Sequence, residues 1–163
     1  MKKSILSFVF VLALATVSSA APRFGVIGEQ GAGIGAFITD DMYNAQVTFA
    51  SNNTEMKVGG TTTKTDSSVI KVGGNYKIAL DSVTALTAGV SYSTMSGEDF
   101  QGEIDSDSTI AVVAGFERAL SSNIVLTVDM DLYSVQTTEY KGGNENTTTT
   151  LFQNANVGVA YLF

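Results

Sequence analysis

Hydrophobic and polar residues alternate along most of this chain with a period of two. Between Ile124 and Leu132 every second residue is large and apolar, and the residues between them include Thr127, Asp129 and Asp131. The same alternation recurs at 43–49, 70–80, 86–92, 110–116 and 151–163. After residue 20 no stretch sustains the 3.6-residue period of an amphipathic helix. The pattern is typical of strands with one apolar face, and it predicts an all-β chain.

The connections between the predicted strands are of two kinds. Short polar turns recur at regular intervals, so the repeating unit is a hairpin. Longer segments rich in Thr, Asn, Gly and acidic residues join the strands at their other ends, and their Thr runs at 61–63 and 147–150 fit either mobile loops or strand extensions. The short turns lie at Asp40-Asp41, Asp81-Ser82 and Ser121-Ser122, and the long segments lie at 53–65, 97–107 and 140–148.

The segment 23–39, RFGVIGEQGAGIGAFIT, is compatible with two structures. Its even positions stay on one face throughout, so it can form one long strand. It can also form a short hairpin that turns near Gln30-Gly31. Bacterial barrels made from a single chain have an even number of strands, which favours the hairpin. With the six clear strands, this predicts an antiparallel up-and-down β-barrel of eight strands.

The first twenty residues resemble a secretory signal peptide rather than part of the barrel. Lys2 and Lys3 precede an apolar run at 5–15, and Ser18-Ser19-Ala20 offers the small residues of a cleavage site. The run is shorter than the roughly 20 residues of a membrane-spanning helix. We therefore expect export, a signal peptide at 1–20 and a barrel domain at 21–163; the alternative is an uncleaved N-terminal anchor.

Charge and composition exclude several classes of function. Removal of residues 1–20 leaves 9 − 2 = 7 basic residues against 16 acidic ones, a formal charge of −9. Such a chain is not expected to bind nucleic acid, because phosphate binding requires clustered Lys or Arg. The chain contains neither Cys nor His, the usual thiolate and imidazole metal ligands, and His is also the commonest general base. We expect no metal, no cofactor and no catalytic residue.

Alternation alone does not decide which face of the barrel is outside. The polar face consists mainly of small residues, which suits the narrow interior of an eight-stranded barrel better than a solvated exterior. The apolar face carries almost no charge except Arg118, which lies beside a short turn. Its aromatic residues cluster towards the strand ends, as in the interfacial girdles of membrane barrels. The predicted girdle residues are Tyr43, Tyr76 and Phe116 near the short turns, and Phe49 and Tyr92 near the long segments.

These features resemble the small outer-membrane β-barrel proteins of Gram-negative bacteria, the eight-stranded opacity-protein-like group. The resemblance is carried by the signal peptide, by AGFERALSSNIVL at 114–126 and by the last strand. In that strand Asn156, Gly158, Tyr161 and Phe163 match the assembly signal of the family. The resemblance implies outer-membrane lipids as surroundings, and periplasmic chaperones and the barrel-assembly machinery as partners during biogenesis.

Six charged residues are predicted to point into the lumen, and we interpret them as a charge network that fills a polar interior. They are Glu29, Lys71, Lys77, Glu117, Asp129 and Asp131. Lys77 is expected at the depth of Glu117, and Lys71 at the depth of Asp131. The alternative, acid–base chemistry by Asp129 and Asp131, lacks any further catalytic group.

Three residues near the outer end, Tyr133, Val135 and Phe152, are expected to close the lumen or to floor a small apolar pocket. The acidic segment 97–107 is expected to be a solvated loop, with calcium binding as the alternative. The predicted function is that of an integral outer-membrane barrel with a structural or surface-interaction role. A narrow pore or carrier for small or apolar molecules is the alternative.

Overall fold

The computed structural model describes residues 21–58, 61–99, 102–141 and 145–163. The predicted signal peptide at 1–20 lies outside these residues. The described residues form eight strands, and among them no helix is long and apolar enough to cross a membrane. The strands are β1 Arg23–Glu29, β2 Gly33–Thr39, β3 Tyr43–Val58, β4 Thr61–Ala79, β5 Thr84–Asp99, β6 Gly102–Ala119, β7 Ile124–Tyr140 and β8 Glu145–Leu162.

Every strand pairs antiparallel with its neighbour in the chain, and β1 also pairs with β8, so the sheet closes into a barrel. The all-β, eight-stranded, up-and-down fold predicted from the sequence is confirmed. The segment 23–39 forms a hairpin that turns at residues 30–32, where Gly31 has a φ of 79°. Glycine adopts this left-handed conformation without steric cost, which explains why the chain reverses there.

Each short turn is closed by an oxygen of its first polar side chain. Asp40 Oδ1 accepts hydrogen bonds from the backbone N–H groups of Met42 and Tyr43, at 2.6 and 2.7 Å. Asp81 Oδ1 accepts from the two equivalent positions at 2.8 and 2.7 Å. Ser121 Oγ does the same at 3.3 and 3.1 Å. Asp and Ser favour turns because their side chains replace a backbone acceptor in this way.

We expect Asp81→Ala to destabilise the β4–β5 turn at neutral pH. The hydrogen bond from the Val83 N–H lowers the pKa of Asp81 below its usual value of 3.8. A carboxylate with a depressed pKa stabilises the fold above its unfolded pKa and ceases to do so as the pH falls through the folded pKa. The urea midpoint of the variant should therefore lie below that of the wild type at neutral pH, and the difference should vanish under strongly acidic conditions. Asp41→Ala is the control, because Asp40 rather than Asp41 closes that turn.

Most of each long polar segment continues the strands, so the prediction of long loops was wrong. The β3–β4 ladder runs without a break from Tyr43↔Tyr76 to Val58↔Thr61, and the β7–β8 ladder reaches Glu139↔Glu145. Thr is β-branched and fits an extended, pleated backbone. The alternative that the Thr runs extend the strands is therefore the correct one.

A bulge in β7 reverses the predicted direction of Tyr133 and Val135. Val113 pairs with Asp131 whereas Val112 pairs with Tyr133, so one extra residue lies in β7. An extra residue moves every later side chain to the other face. Tyr133 is 45% exposed, and Ser134 takes the buried position. Phe152 is 69% exposed with a φ of 54°, so it does not close the lumen either.

Candidate functional site

An ion pair lies in the lumen near the short-turn end of the barrel. Lys77 Nζ of β4 lies 2.5 Å from Glu117 Oε1 of β6, and each side chain is 9% exposed. Glu117 Oε2 accepts a hydrogen bond from Asn44 Nδ2 at 2.8 Å. Lys77 also donates to Thr39 Oγ1 at 2.9 Å and to the Asp40 carbonyl at 2.7 Å. The charges are thus neutralised and their hydrogen-bonding capacity is largely used, as burial requires.

A second ion pair links β1 to β4. Lys71 Nζ contacts Glu29 Oε1, and Gln46 Nε2 donates to Glu29 Oε2 at 2.6 Å. The sequence placed Lys71 at the depth of Asp131, but its ion-pair partner is Glu29. Strand tilt explains the difference, because residues at the same depth on different strands are separated from their short turns by different numbers of residues.

Asp129 and Asp131 point inward and are each 7% exposed. Thr87 Oγ1 donates to Asp129 at 3.3 Å, and Asn154 Nδ2 donates to Asp131 at 3.1 Å. No Lys or Arg of the described residues forms an ion pair with either. The lumen therefore holds more negative than positive charge.

Asp107 is a lumen residue that the sequence analysis missed. It is 4% exposed, and its Oδ2 accepts hydrogen bonds from Thr138 Oγ1 at 2.7 Å and Gln136 Nε2 at 2.8 Å. The expectation of a solvated loop was wrong for this residue. Extending the alternation of β6 upward from Val113 would have placed Asp107 inside. The side chains at 98–103 lie outside the described part, so the calcium alternative is untested there.

Apolar side chains fill one side of the lumen near the short-turn end, a feature that the expected polar interior did not include. They form one buried cluster from β1, β2, β7 and β8. Its members are Ile27, Phe37, Val125, Ala160 and Leu162. Below the Lys77–Glu117 pair lies a cavity of about 350 Å³ that reaches the turns and is bordered by Arg23, Asp81 and Leu162. Lys77 and Glu117 of the ion pair, and Val125 and Leu162 of the cluster, are among the residues that border this cavity.

The predicted girdle residues lie on the outer surface at two levels. Tyr43 and Tyr76 are cross-strand partners near the short turns, with ring centroids 5.4 Å apart in an edge-on arrangement. Phe116 of β6 lies near the same end, opposite Leu86 of β5. Phe49 and Tyr92 are exposed higher up the barrel, at 54% and 37%.

Three of the four residues of the predicted assembly signal, Gly158, Tyr161 and Phe163, lie at the closing β1–β8 seam, and Asn156 lies just above it. Tyr161 and Phe163 are exposed on the outer surface, with ring centroids 6.0 Å apart. Gly158 is buried, and a Cβ there would lie 2.6 Å from Thr127 Oγ1, so any larger residue would require the Thr127 side chain to move. Asn156 Nδ2 donates to the carbonyl of Asn154 at 3.2 Å.

Ion pairs and side-chain hydrogen bonds occupy much of the polar lumen. Within the described ranges, no group of three or more carboxylates is arranged to hold a metal ion. The two ion pairs join strands that are not direct neighbours, β4 to β6 and β4 to β1, so they cross-link the barrel wall from inside. Thr48 Oγ1 is a buried polar atom without a partner in the described part of the chain.

No protein-family model matches this sequence, and no curated protein matches it. Several solved structures are similar. A major outer membrane protein from Thermus thermophilus is 17% identical, with 88% of this chain and 100% of that chain covered and a TM-score of 0.41. Neisserial surface protein A is 14% identical, with 87% and 96% covered and a TM-score of 0.48. Ail, the attachment invasion locus protein of Yersinia pestis, is 14% identical, with 87% and 96% covered and a TM-score of 0.39.

The fold that the resemblance implies, a closed antiparallel barrel of eight strands, is the fold of this chain. Identities this low transfer no role from any of these proteins. On its own geometry, the chain is a closed eight-stranded β-barrel with a braced polar lumen and an apolar exterior.

Proposed function

We propose that this protein is an integral outer-membrane β-barrel with a structural or surface-interaction role and no catalytic activity. The observation that carries the proposal is the distribution of side chains, which is inverted relative to a soluble barrel. Inside, Glu117 and Asp129 are each 7% exposed; outside, Ile70 and Val90 are each 48% exposed. Charged groups turned inward and large apolar groups turned outward minimise free energy only when the exterior meets hydrocarbon.

The height of the apolar exterior matches a bilayer. A strand rises about 3.3 Å per residue and leans by about 40° in such barrels, so each residue gains roughly 2.5 Å of height. The outward apolar residues of β4 run from Ile78 to Ile70, which corresponds to about 20 Å. Bacterial outer membranes require a band of about 25 Å. The remaining residues of the long strands, 61–69 in β4, would then stand above the membrane.

Outer-membrane lipids, periplasmic chaperones and the barrel-assembly machinery are the proposed partners. Support comes from the last strand, where Tyr161 and Phe163 present two exposed aromatic rings beside the β1–β8 seam. Phe163 N–H donates to the Phe24 carbonyl at 2.9 Å, so the seam includes this last residue. An assembly factor that recognises these rings would act before the seam closes.

We expect Phe163→Ala to slow assembly far more than it weakens the finished barrel. The ring is 77% exposed and so contributes little packing, whereas the proposed recognition of the strand would depend on it. Pulse–chase appearance of the folded form in cells should be delayed, while the urea midpoint of the refolded protein stays near that of the wild type. Leu151→Ala, a change at another exposed apolar residue of β8, is the control and should leave the assembly rate unchanged.

A narrow pore or carrier for small or apolar molecules is the alternative function. The Lys77–Glu117 pair and the apolar cluster around Ile27 and Leu162 occupy the lumen at its short-turn end, which argues against it. Planar-bilayer recordings of purified protein decide between the two. Steady channels of a defined conductance would favour the pore.

Fractionation of cells and proteolysis of intact cells test the proposed location. The protein should separate with the outer membrane, and external protease should cut only near residues 59–60, 100–101 and 142–144, which separate the paired long strands in the sequence. Cleavage at the turns 40–42 or 80–83 in intact cells would reverse the proposed orientation. Recovery in the soluble periplasmic fraction would refute the proposal altogether.

A further inference from the structure

The first hairpin is much shorter than the rest of the barrel wall. β1 and β2 have 7 residues each, whereas the other six strands have 16 to 19. β1 pairs with β8 from Leu162 to Gly158, and the last rung is the bond from Gln30 N–H to the Val157 carbonyl. β2 pairs with β3 only from Asn44 to Phe49. Above the hairpin the wall is therefore interrupted between β3 and β8.

Two strand edges border this interruption. In the described part of the chain, residues 50–58 of β3 pair with β4 alone, and residues 145–156 of β8 pair with β7 alone. Each edge exposes backbone N–H and C=O groups that can accept a further strand. At about 2.5 Å of height per residue, the β1–β2 hairpin rises roughly 17 Å, so both edges begin close to the outer boundary of the apolar band.

The two edges differ in how they are protected against pairing. Glu55 of β3 forms an ion pair with Lys64, and Asn53 Nδ2 donates to Asp66 Oδ1 at 2.5 Å. Charged groups at an edge discourage the addition of a strand. By contrast, residues 146–156 of β8 contain no charged residue and no proline, and 147–150 are four threonines in succession. The β8 edge lacks the usual protection and has high β propensity.

Protection of β8 is present only at its lower part. Phe152 and Asn154 have φ values of 54° and 53°, and these left-handed conformations interrupt the regular ladder. The side chain of Asn156 donates a hydrogen bond to the Asn154 carbonyl, which is then less available to another strand. This part lies next to the hairpin tip, at the depth where unpaired backbone groups are costly in lipid. Residues 146–151 lie above it, where the strand is regular and exposed.

From this contrast we propose that the edge of β8 at residues 146–151 is a docking site for an extended strand of another protein outside the cell. The added strand would form a backbone ladder antiparallel to β8, a mode that requires no particular side-chain sequence. A strand without acidic residues is the preferred occupant, because the exposed pair Glu139 and Glu145 at the outer end of the β7–β8 ladder would repel an acidic one.

A second copy in the same membrane is a poorer occupant. Two such copies have the same orientation, so their β8 strands run in the same direction and could form only the weaker parallel ladder. The antiparallel partner within a second copy is β3, whose edge carries Glu55. The inference rests on the proposed function, since it takes residues 146–151 to stand outside the membrane.

The test uses purified, folded full-length protein in detergent and a short fluorescent peptide of alternating threonine and valine with a terminal lysine. We expect saturable binding by fluorescence anisotropy. The same peptide with methyl groups on alternate backbone nitrogens should bind about tenfold more weakly or not at all, because it loses the ladder hydrogen bonds and keeps its side chains. Equal binding of the methylated peptide would overturn the inference.

A matched pair of variants locates the site. Thr147 and Thr137 are direct cross-strand partners, but Thr147 lies at the edge and Thr137 lies between β6 and β8. Thr147→Lys should weaken binding of the unmodified peptide about tenfold, whereas Thr137→Lys, with the same added charge, should not. Equal effects would contradict the proposed site. Failure of a folded, membrane-inserted barrel to bind the peptide refutes the inference alone; failure to insert refutes the proposed function and the inference with it.

Discussion

Replacement of Val128 by arginine should cost about 2–4 kcal/mol of folding free energy in lipid, or should block assembly. Val128 lies on the outer face of β7, opposite Phe116 of β6 and Val157 of β8. It is near the middle of the apolar band, where a guanidinium group is farthest from water on either side. The measurement is the urea midpoint of the variant refolded into lipid vesicles.

The same arginine introduced at a turn provides the control for Val128→Arg. Ser82 lies exposed in the turn between β4 and β5, so Ser82→Arg should leave both the midpoint and the yield of folded protein unchanged. If Val128→Arg folds as well as Ser82→Arg, the outer face of β7 does not meet hydrocarbon. The assignment of inside and outside would then be reversed.

Glu117→Ala should destabilise the barrel by about 3–5 kcal/mol, because it leaves the Lys77 ammonium buried without its counter-ion. Lys77 Nζ would retain its contacts with Thr39 Oγ1 and the Asp40 carbonyl, which are neutral acceptors. Asn44 Nδ2 would also lose its carboxylate partner. The midpoint of unfolding in vesicles at neutral pH measures the loss.

The double variant Lys77→Met, Glu117→Ala distinguishes an unpaired buried charge from a simple loss of packing. It removes the lysine charge and keeps the truncation at residue 117, so it should recover most of the stability lost in Glu117→Ala. If the double variant is as unstable as Glu117→Ala, burial of an unpaired charge is not the cause. The loss would then arise from the cavity left by the glutamate side chain.

The strand array was predictable because each strand is apolar on one face only, and a period of two follows directly from pleated geometry. The short turns were predictable because Asp40, Asp81 and Ser121 supply the acceptor that a tight turn needs. The alternation of inward and outward positions also placed Glu29, Lys71, Lys77 and Glu117 on the inner face, where the structure pairs them.

The alternation predicts the wrong side-chain direction where the strand ladder is irregular. The bulge between Asp131 and Tyr133 inserts one residue, and nothing in the composition of that segment marks it. Partners across the lumen were also beyond the sequence, because Lys71 reaches Glu29 through the tilt and closure of the whole barrel. The apolar cluster at the short-turn end was missed for a related reason: Phe37 and Leu162 come from opposite ends of the chain and meet only when β1 joins β8.

Heat-modifiable migration in a denaturing gel is the sharpest test of whether this chain forms a closed barrel in lipid. A closed membrane barrel resists detergent at room temperature and unfolds on boiling, so the purified protein should run faster without boiling than after it. Barrel closure depends on the short β1–β8 seam from Gly25↔Leu162 to Glu29↔Gly158. The wild type should give two distinct bands, and Val128→Arg should give a weakened or missing faster band. A single band that is the same before and after boiling of the lipid-refolded wild type would contradict closure of the barrel.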